Sequence, residues 1–359
     1  MTQRKYTNLD AIRGLAAILI VFRHAPVMFT SPQFQQSYLA VDIFFGMSGF
    51  VVANAYESRL KSGSLTFFSF LKIRLIRLLP FYLLGTFVGL FEHFFQEPGS
   101  QPAGIRSAIS MASLVLLPLL MLPSRAKPLY PVNNPAWSLL YELVANCAYA
   151  KFVRKDNTYA LVSVIVLSGA VVFVCSLLHD SLDAGWNVSG WYVALARVVF
   201  SFSIGVLLYR RRTAHHRKSA GISALTLVCT ALMLCINVPA TWTGIASAAE
   251  VLLGVPALVY IATVAEPPSC VAPVFARLGR ISYGLYITHV PVLMFLSKLP
   301  VNRERMYGAD ALLAFLCAML ALIAILDRYV DIPVRRALSK RFVRSEPAKK
   351  IQVPVTTGT

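Results

Sequence analysis

Along the chain, apolar runs of about 17 to 21 residues alternate with short polar stretches rich in Lys and Arg. A helix that crosses a bilayer needs roughly 17–25 mostly apolar residues. By that measure eleven segments qualify: about 8–28, 38–56, 76–95, 107–123, 136–153, 159–178, 191–209, 221–237, 245–265, 281–297 and 310–330. The pattern predicts an all-α protein, a polytopic transmembrane helical bundle. The first apolar stretch, Leu15 to Phe29, contains Arg23 and His24 and lacks a small-residue cleavage site. It is expected to be a permanent span rather than a removable signal.

Composition agrees. The 359 residues are 57% hydrophobic and only 14% charged, where a soluble domain carries about 25% charged residues. Mean hydropathy is +0.64. Membrane lipid is the expected main solvent of this surface. The formal net charge of +18 would on its own raise nucleic-acid binding. The basic residues, however, cluster between apolar runs, as the positive-inside bias produces, and no nucleic-acid partner is expected. Five of the six cysteines lie in apolar runs, Cys270 lies in a loop, and none has metal-ligand spacing. Neither a metal nor a disulfide framework is expected.

The charges also set an orientation. Basic clusters at Arg4/Lys5, Arg59/Lys61/Lys72/Arg74/Arg77, Lys151/Arg154/Lys155, Arg210–Arg212 with Arg217/Lys218, Arg277/Arg280 and from Arg335 onward are expected on the cytoplasmic side. The loops at 29–37 and 238–244 carry no charge, and that at 179–190 carries only Asp180 and Asp183; these are expected to face out. Both termini then lie in the cytoplasm, so the number of full crossings must be even. Eleven is one too many. Segment 107–123 holds Pro118 and ends at Pro123, ahead of a Pro-Asn-Asn-Pro stretch near 131–135, and is the expected re-entrant segment. About ten spans remain. The loop at 298–309, with net positive charge on the outer face, fits this scheme poorly. Residues 1–336 are expected to form one membrane-embedded domain and 337–359 a basic and polar cytoplasmic tail, disordered by composition.

Ionisable groups inside spans are costly and ask for a reason. Arg13 and His24 are eleven residues apart, so they return to one face of a helix roughly 16 Å apart along its axis. Either alone has a bland explanation, a snorkelling arginine or a histidine bonding a neighbouring helix. Together they make a polar stripe with a cation at one end and a titratable base deep inside. Asp42, near the outer end of the second span, is expected at the depth of His24, where a carboxylate would orient the imidazole; otherwise it would reach headgroup water. Ser48-Gly49 reads as a close helix crossing. Arg74 and Arg77, three apart, lie on one helix face at the cytoplasmic surface. They either anchor the helix or clamp a phosphate, whose oxygens guanidinium groups match. Glu142 lies five residues beyond Trp137 in an apolar run and needs a cationic or hydrogen-bonding partner. Ser282, Tyr286 and His289 form one polar stripe on a late helix, whether as packing contacts or as a site.

Five stretches in order resemble the acyltransferase-3 family of membrane acyltransferases. They are Leu9 through Ala17 running to His24; Asp42 through Phe50; Arg74, Arg77 and Pro80; Trp137-Ser138 with Glu142; and Ile281-Ser282-Tyr283 with Tyr286 and His289. The resemblance covers about residues 8–336. It departs where Asp331-Ile332-Pro333 stands in place of the usual Glu-x-Pro, and no C-terminal hydrolase-like domain is expected here. It implies an inner (plasma) membrane enzyme moving an acyl group, usually acetyl from acetyl-CoA, to a hydroxyl of a carbohydrate such as an exopolysaccharide, O-antigen or glycosylated natural product. It further implies His24, Asp42 and Glu142 as catalytic residues, and Arg13, Arg74 and Arg77 as the acyl-CoA site. Trp137, Ser138, Tyr286 and His289 would contact substrate. A sugar hydroxyl needs a base as it attacks a thioester, and histidine has the right range; His24 acylated as a relay is equally consistent. A proton-coupled secondary transporter is the alternative, since buried Arg, His, Asp and Glu would suit one. The polar motifs crowd into the first 142 residues without a matching second set, unlike transporters built from paired repeats.

Overall fold

The computed structural model describes residues 6–27, 29, 34–95, 105–125, 127–155, 157–212, 217–299 and 308–343. Its helices in chain order are α1 (Thr7–His24), α2 (Ala40–Lys61), α3 (Phe67–Phe95), α4 (Ile105–Leu119), α5 (Ala136–Phe152), α6 (Thr158–His179), α7 (Trp191–Arg211), α8 (Ala220–Cys235), α9 (Thr243–Ala249), α10 (Val255–Val264), α11 (Ala272–Ser297), α12 (Ala309–Leu326) and α13 (Ile332–Phe342). Wider π turns, Glu250–Gly254 and Asp327–Asp331, carry α9 into α10 and α12 into α13. Each of the eleven apolar segments is helical. Residues 337–342, grouped with the tail from sequence, form the last turns of α13; 344–359 and most of the 298–309 loop lie outside the described residues.

Six described helical stretches are long and apolar enough to cross a membrane: Gln35–Lys61, Phe67–Phe94, Thr158–His179, Val188–Arg211, Ala240–Val264 and Ala309–Phe342. Helices α4, α5 and α8 are shorter, while α1 carries Asp10, Arg13 and Arg23 and α11 carries Arg277 and Arg280. The chain is an all-helical, multi-pass membrane protein. α6 and α12 present Leu167, Val174, Leu178, Leu313, Leu322 and Ile325 outward, the faces suited to lipid.

In lipid, helices gain nothing from hiding apolar surface from water, so close packing and polar contacts must hold them. Two crossings around the site show this. At the α2–α7 crossing, a Cβ on Gly49 would fall 2.0 Å from Phe202 O, and one on Gly205 2.0 Å from Gly46 O. Backbone meets backbone there, as the Ser48-Gly49 pair suggested. α11 runs parallel to α1: Gly14 packs on Leu278 and Gly279 on Asp10 at one end, and His24 meets His289 at the other.

The start of α1 is fixed by a short parallel ladder, Arg217–Lys218 with Ala265–Glu266. Thr7 N, an amide with no acceptor inside its own helix, donates to Glu266 Oε2 at 3.0 Å, and Asn8 Nδ2 donates to Ala265 O at 2.8 Å. At the same end Glu57 accepts from Lys61, Tyr149 and Arg210, tying α2, α5 and α7 together. We call this the arginine end and the opposite one the histidine end.

Candidate functional site

Two cavities lie along the axis of the bundle and meet in its middle. The one toward the arginine end is lined by Arg13, Arg74, Arg77, Ser48, Glu142 and Tyr283, among others. The one toward the histidine end is lined by His24, His289, Arg23, Asp183, Trp137 and Trp186, with Asn134 beside them. Val41 and Tyr286 line both and form the wall between them. The Tyr286 ring is held edge-on by Phe44, centroids 5.4 Å apart, and its hydroxyl lies 2.8 Å from Ser138 Oγ and donates to Pro135 O at 3.3 Å.

In the arginine cavity, Arg74 Nη2 donates to Glu142 Oε1 at 2.7 Å, and Ser48 Oγ donates to the same oxygen at 2.6 Å. Glu142 thus has the cationic partner its position demanded. Arg74 is only 4% exposed. Arg13 and Arg77 line the cavity without a hydrogen bond or ion pair among the described residues. Three guanidinium groups therefore face one carboxylate. A cavity with that surplus, partly shielded from water, favours a polyanionic ligand, and guanidinium geometry favours phosphate. The Tyr283 hydroxyl closes the cavity against α3 by donating to Leu78 O at 2.7 Å, beside Pro80.

At the histidine end, His24 Nδ1 lies 3.0 Å from Ile20 O and 3.2 Å from His289 Nε2. His289 is fully buried, with Nδ1 2.7 Å from Tyr286 O. The roof of this cavity is the 180–190 loop. Arg23 forms an ion pair with Asp183 and also donates to Gln35 O at 3.0 Å. Leu129 N donates to Trp186 O at 2.8 Å, joining the roof to the linker before α5. Gly185, with φ of +113°, lies flat on the Trp137 ring, where a Cβ would sit 2.7 Å from the indole; only glycine adopts that backbone readily.

The expectation that Asp42 orients His24 is corrected. Asp42 is fully buried and forms an ion pair with Arg197 of α7, which approaches both carboxylate oxygens through Nε and Nη2. Arg197 Nη1 also donates to Leu182 O at 2.6 Å and to Ala184 O at 3.3 Å. The pair is a clamp between two helices and the roof loop, and neither residue lines either of these two cavities. The carboxylate chose the cation because a buried charge needs an opposite one more than an imidazole does. Glu142, too, stands with the arginines and not with His24. Trp137 and His289 stand in the histidine cavity, Ser138 in the arginine cavity and Tyr286 in both.

Arg197, Trp186 and Asn134 were not singled out from sequence, and Asp183 and Tyr283 were named only as a loop charge and as part of the late motif, not as cavity residues. Arg197 could have been, since a lone arginine within an apolar run requires a partner. The roof residues gave no signal of their own. Among the described residues no group of three or more His, Cys, Asp or Glu is placed to hold a metal ion.

The acyltransferase-3 model, described as an acyltransferase domain, matches residues 6–328. A protein of Rhizobium radiobacter described as "Protein 2 in picA locus" is 36% identical over 183 residues, which is 48% of this chain and 95% of that protein. No solved structure matches the chain. The matched region holds both cavities and the wall between them, and the chain belongs to the acyltransferase-3 family of membrane enzymes that transfer acyl groups.

Proposed function

We propose that this enzyme moves an acetyl group from acetyl-CoA, bound through its phosphates at Arg13, Arg74 and Arg77, to a carbohydrate hydroxyl held in the histidine cavity. The acceptor class is an exopolysaccharide, an O-antigen or a glycosylated natural product. One observation carries the reading: the phosphate-suited cavity and the histidine cavity share a wall, Val41 and Tyr286. Arg13 and His24 stand roughly 16 Å apart on one helix face, a separation that an extended pantetheine arm covers. The phosphates can stay with the arginines while the thioester reaches the wall.

The chemistry follows from the groups present. A sugar hydroxyl is a weak nucleophile at neutral pH. His24 takes its proton as the oxygen attacks the thioester carbonyl carbon. The tetrahedral intermediate collapses, the carbon–sulfur bond breaks, and the CoA thiolate leaves and receives that proton. Ser138 and Tyr286 lie at the junction beside the thioester, their hydroxyls bonded to each other and to Pro135 O. Trp137 and Trp186 offer apolar faces to a sugar ring.

The topology we propose has ten crossings in the inner membrane, the arginine end and both termini cytoplasmic, and α4 re-entrant. Charge parity supports it. So does the position of the linker after α4. Tyr82 of α3 donates to Pro118 O at 2.5 Å, and Val132 O packs against Gly89, in the half of α3 nearer the histidine end.

Purified protein in proteoliposomes, given labelled acetyl-CoA and a panel of glycans, tests the reading. Label should move to a glycan with wild type and not with His24→Ala. Glycan uptake into vesicles without label transfer would instead favour transport. Undiminished transfer by His24→Ala would remove the base.

A further inference from the structure

His24 and His289 come from neighbouring parallel helices, and their ring centroids lie 4.9 Å apart. Their protonation can be read from what surrounds them. His289 Nδ1 is 2.7 Å from Tyr286 O. A carbonyl oxygen offers only lone pairs, so Nδ1 must carry the proton. A neutral imidazole has one N–H, and His289 Nε2 is therefore an acceptor. It lies 3.2 Å from His24 Nδ1, which also lies 3.0 Å from Ile20 O. Two acceptors converge on that nitrogen, so His24 Nδ1 carries its proton. His24 Nε2 is left with a lone pair and makes no hydrogen bond among the described residues, while the ring lines the histidine cavity.

This matters because a free histidine side chain in water favours the opposite tautomer, with the proton on Nε2. Unaided, the ring would tend to present an N–H to the cavity, which cannot take a proton. Ile20 O is already the acceptor of a helical amide and makes a weaker second partner. We propose that His289 is a positioning residue that holds His24 as the Nδ1–H tautomer, aims Nε2 at the acceptor hydroxyl, and accepts the hydrogen bond from Nδ1–H of the imidazolium formed when Nε2 is protonated, the Nδ1 proton staying on His24. The proposal rests on His24 being the base, and it makes His289 a residue that acts through His24 rather than a substrate contact.

The test compares His289→Leu with His289→Gln. Gln Oε1 stands near the place of Nε2 and accepts a hydrogen bond; Leu matches the volume and accepts none. A hydrogen bond to a charged group accounts for a rate change of about tenfold to a hundredfold. His289→Leu should lower kcat by that factor with KM for donor and acceptor unchanged, and His289→Gln should restore most of it. A packing role alone would leave Gln no better than Leu, and that outcome, or wild-type kcat in His289→Leu, overturns the proposal. The second readout is the 15N spectrum of histidine-labelled protein, His24 assigned by difference with His24→Gln. The wild type should show a protonated Nδ1 and an unprotonated Nε2, with a mixture in His289→Leu. A protonated Nε2 in wild type overturns the assignment even if His289→Leu fails to fold. The spectrum needs no turnover, so absence of transferase activity would sink the functional reading while leaving the tautomer separately decided.

Discussion

Asp42 and Arg197 form the ion pair whose removal should cost the fold most. Both are essentially excluded from solvent. Deleting one partner of a buried pair strands the other charge and costs about 3–5 kcal/mol. Asp42→Leu leaves Arg197, among the described residues, with two carbonyl acceptors, Leu182 O and Ala184 O. Arg197→Met leaves a carboxylate with no cation and those carbonyls with no donor. Independent effects would sum to roughly 6–10 kcal/mol in the double variant. The double variant, however, carries no stranded charge. Its remaining deficit is the carbonyls' lost donor, about 1–3 kcal/mol, so it should be more stable than either single variant. Equilibrium unfolding by a denaturing detergent in mixed micelles measures all four proteins. A double variant as unstable as the sum of the singles would refute the clamp. Activity gives a second check. If Asp42 served His24 in catalysis, the double variant would be folded and dead; the clamp predicts that it keeps its kcat, with a higher acceptor KM as the roof loop loosens.

Further outcomes follow from single contacts. Arg77→Ala should raise donor KM by about tenfold or more through loss of one charge-assisted contact, with acceptor KM unchanged; steady-state kinetics with each substrate varied checks both. Gly49→Ala places a Cβ 2.0 Å from Phe202 O, so the α2–α7 crossing cannot close and folded yield in size-exclusion chromatography should collapse, whereas Gly221→Ala, near only Ser219 Oγ at 3.9 Å, should fold normally. Asp183→Asn breaks a partly exposed pair with Arg23 and should shift stability by less than about 1 kcal/mol, yet change acceptor KM, because both residues line the histidine cavity.

The helices were legible because membrane length and hydropathy constrain them directly: all eleven apolar segments are helical, with ends displaced by a few residues except at α3 and α11, which start nine residues earlier. The Arg13–His24 stripe was legible because eleven residues of one helix fix a face. What periodicity cannot supply is which helices become neighbours. Asp42 was expected to meet His24 because the two lie at similar depth in the first two spans, but its partner lies 155 positions away on α7. Glu142 announced that it needed a cation and did not say that Arg74 would provide it. The contact between His24 and His289 spans 265 positions, and its basis, close parallel packing at Gly14 and Gly279, is visible only once α1 and α11 are side by side. The roof loop carries ordinary polar residues whose meaning comes from the cavity beneath it.

The account stands on a donor and an acceptor that approach one wall from opposite ends of the bundle. Sealed proteoliposomes test this directly. Labelled acetyl-CoA is enclosed inside, an impermeant glycan acceptor is supplied outside, and only molecules with the arginine end inward can use both. Labelled glycan should accumulate outside, and Arg77→Ala should suppress it at limiting donor. Label that reaches glycan only when donor and acceptor share a compartment would contradict the two-ended site.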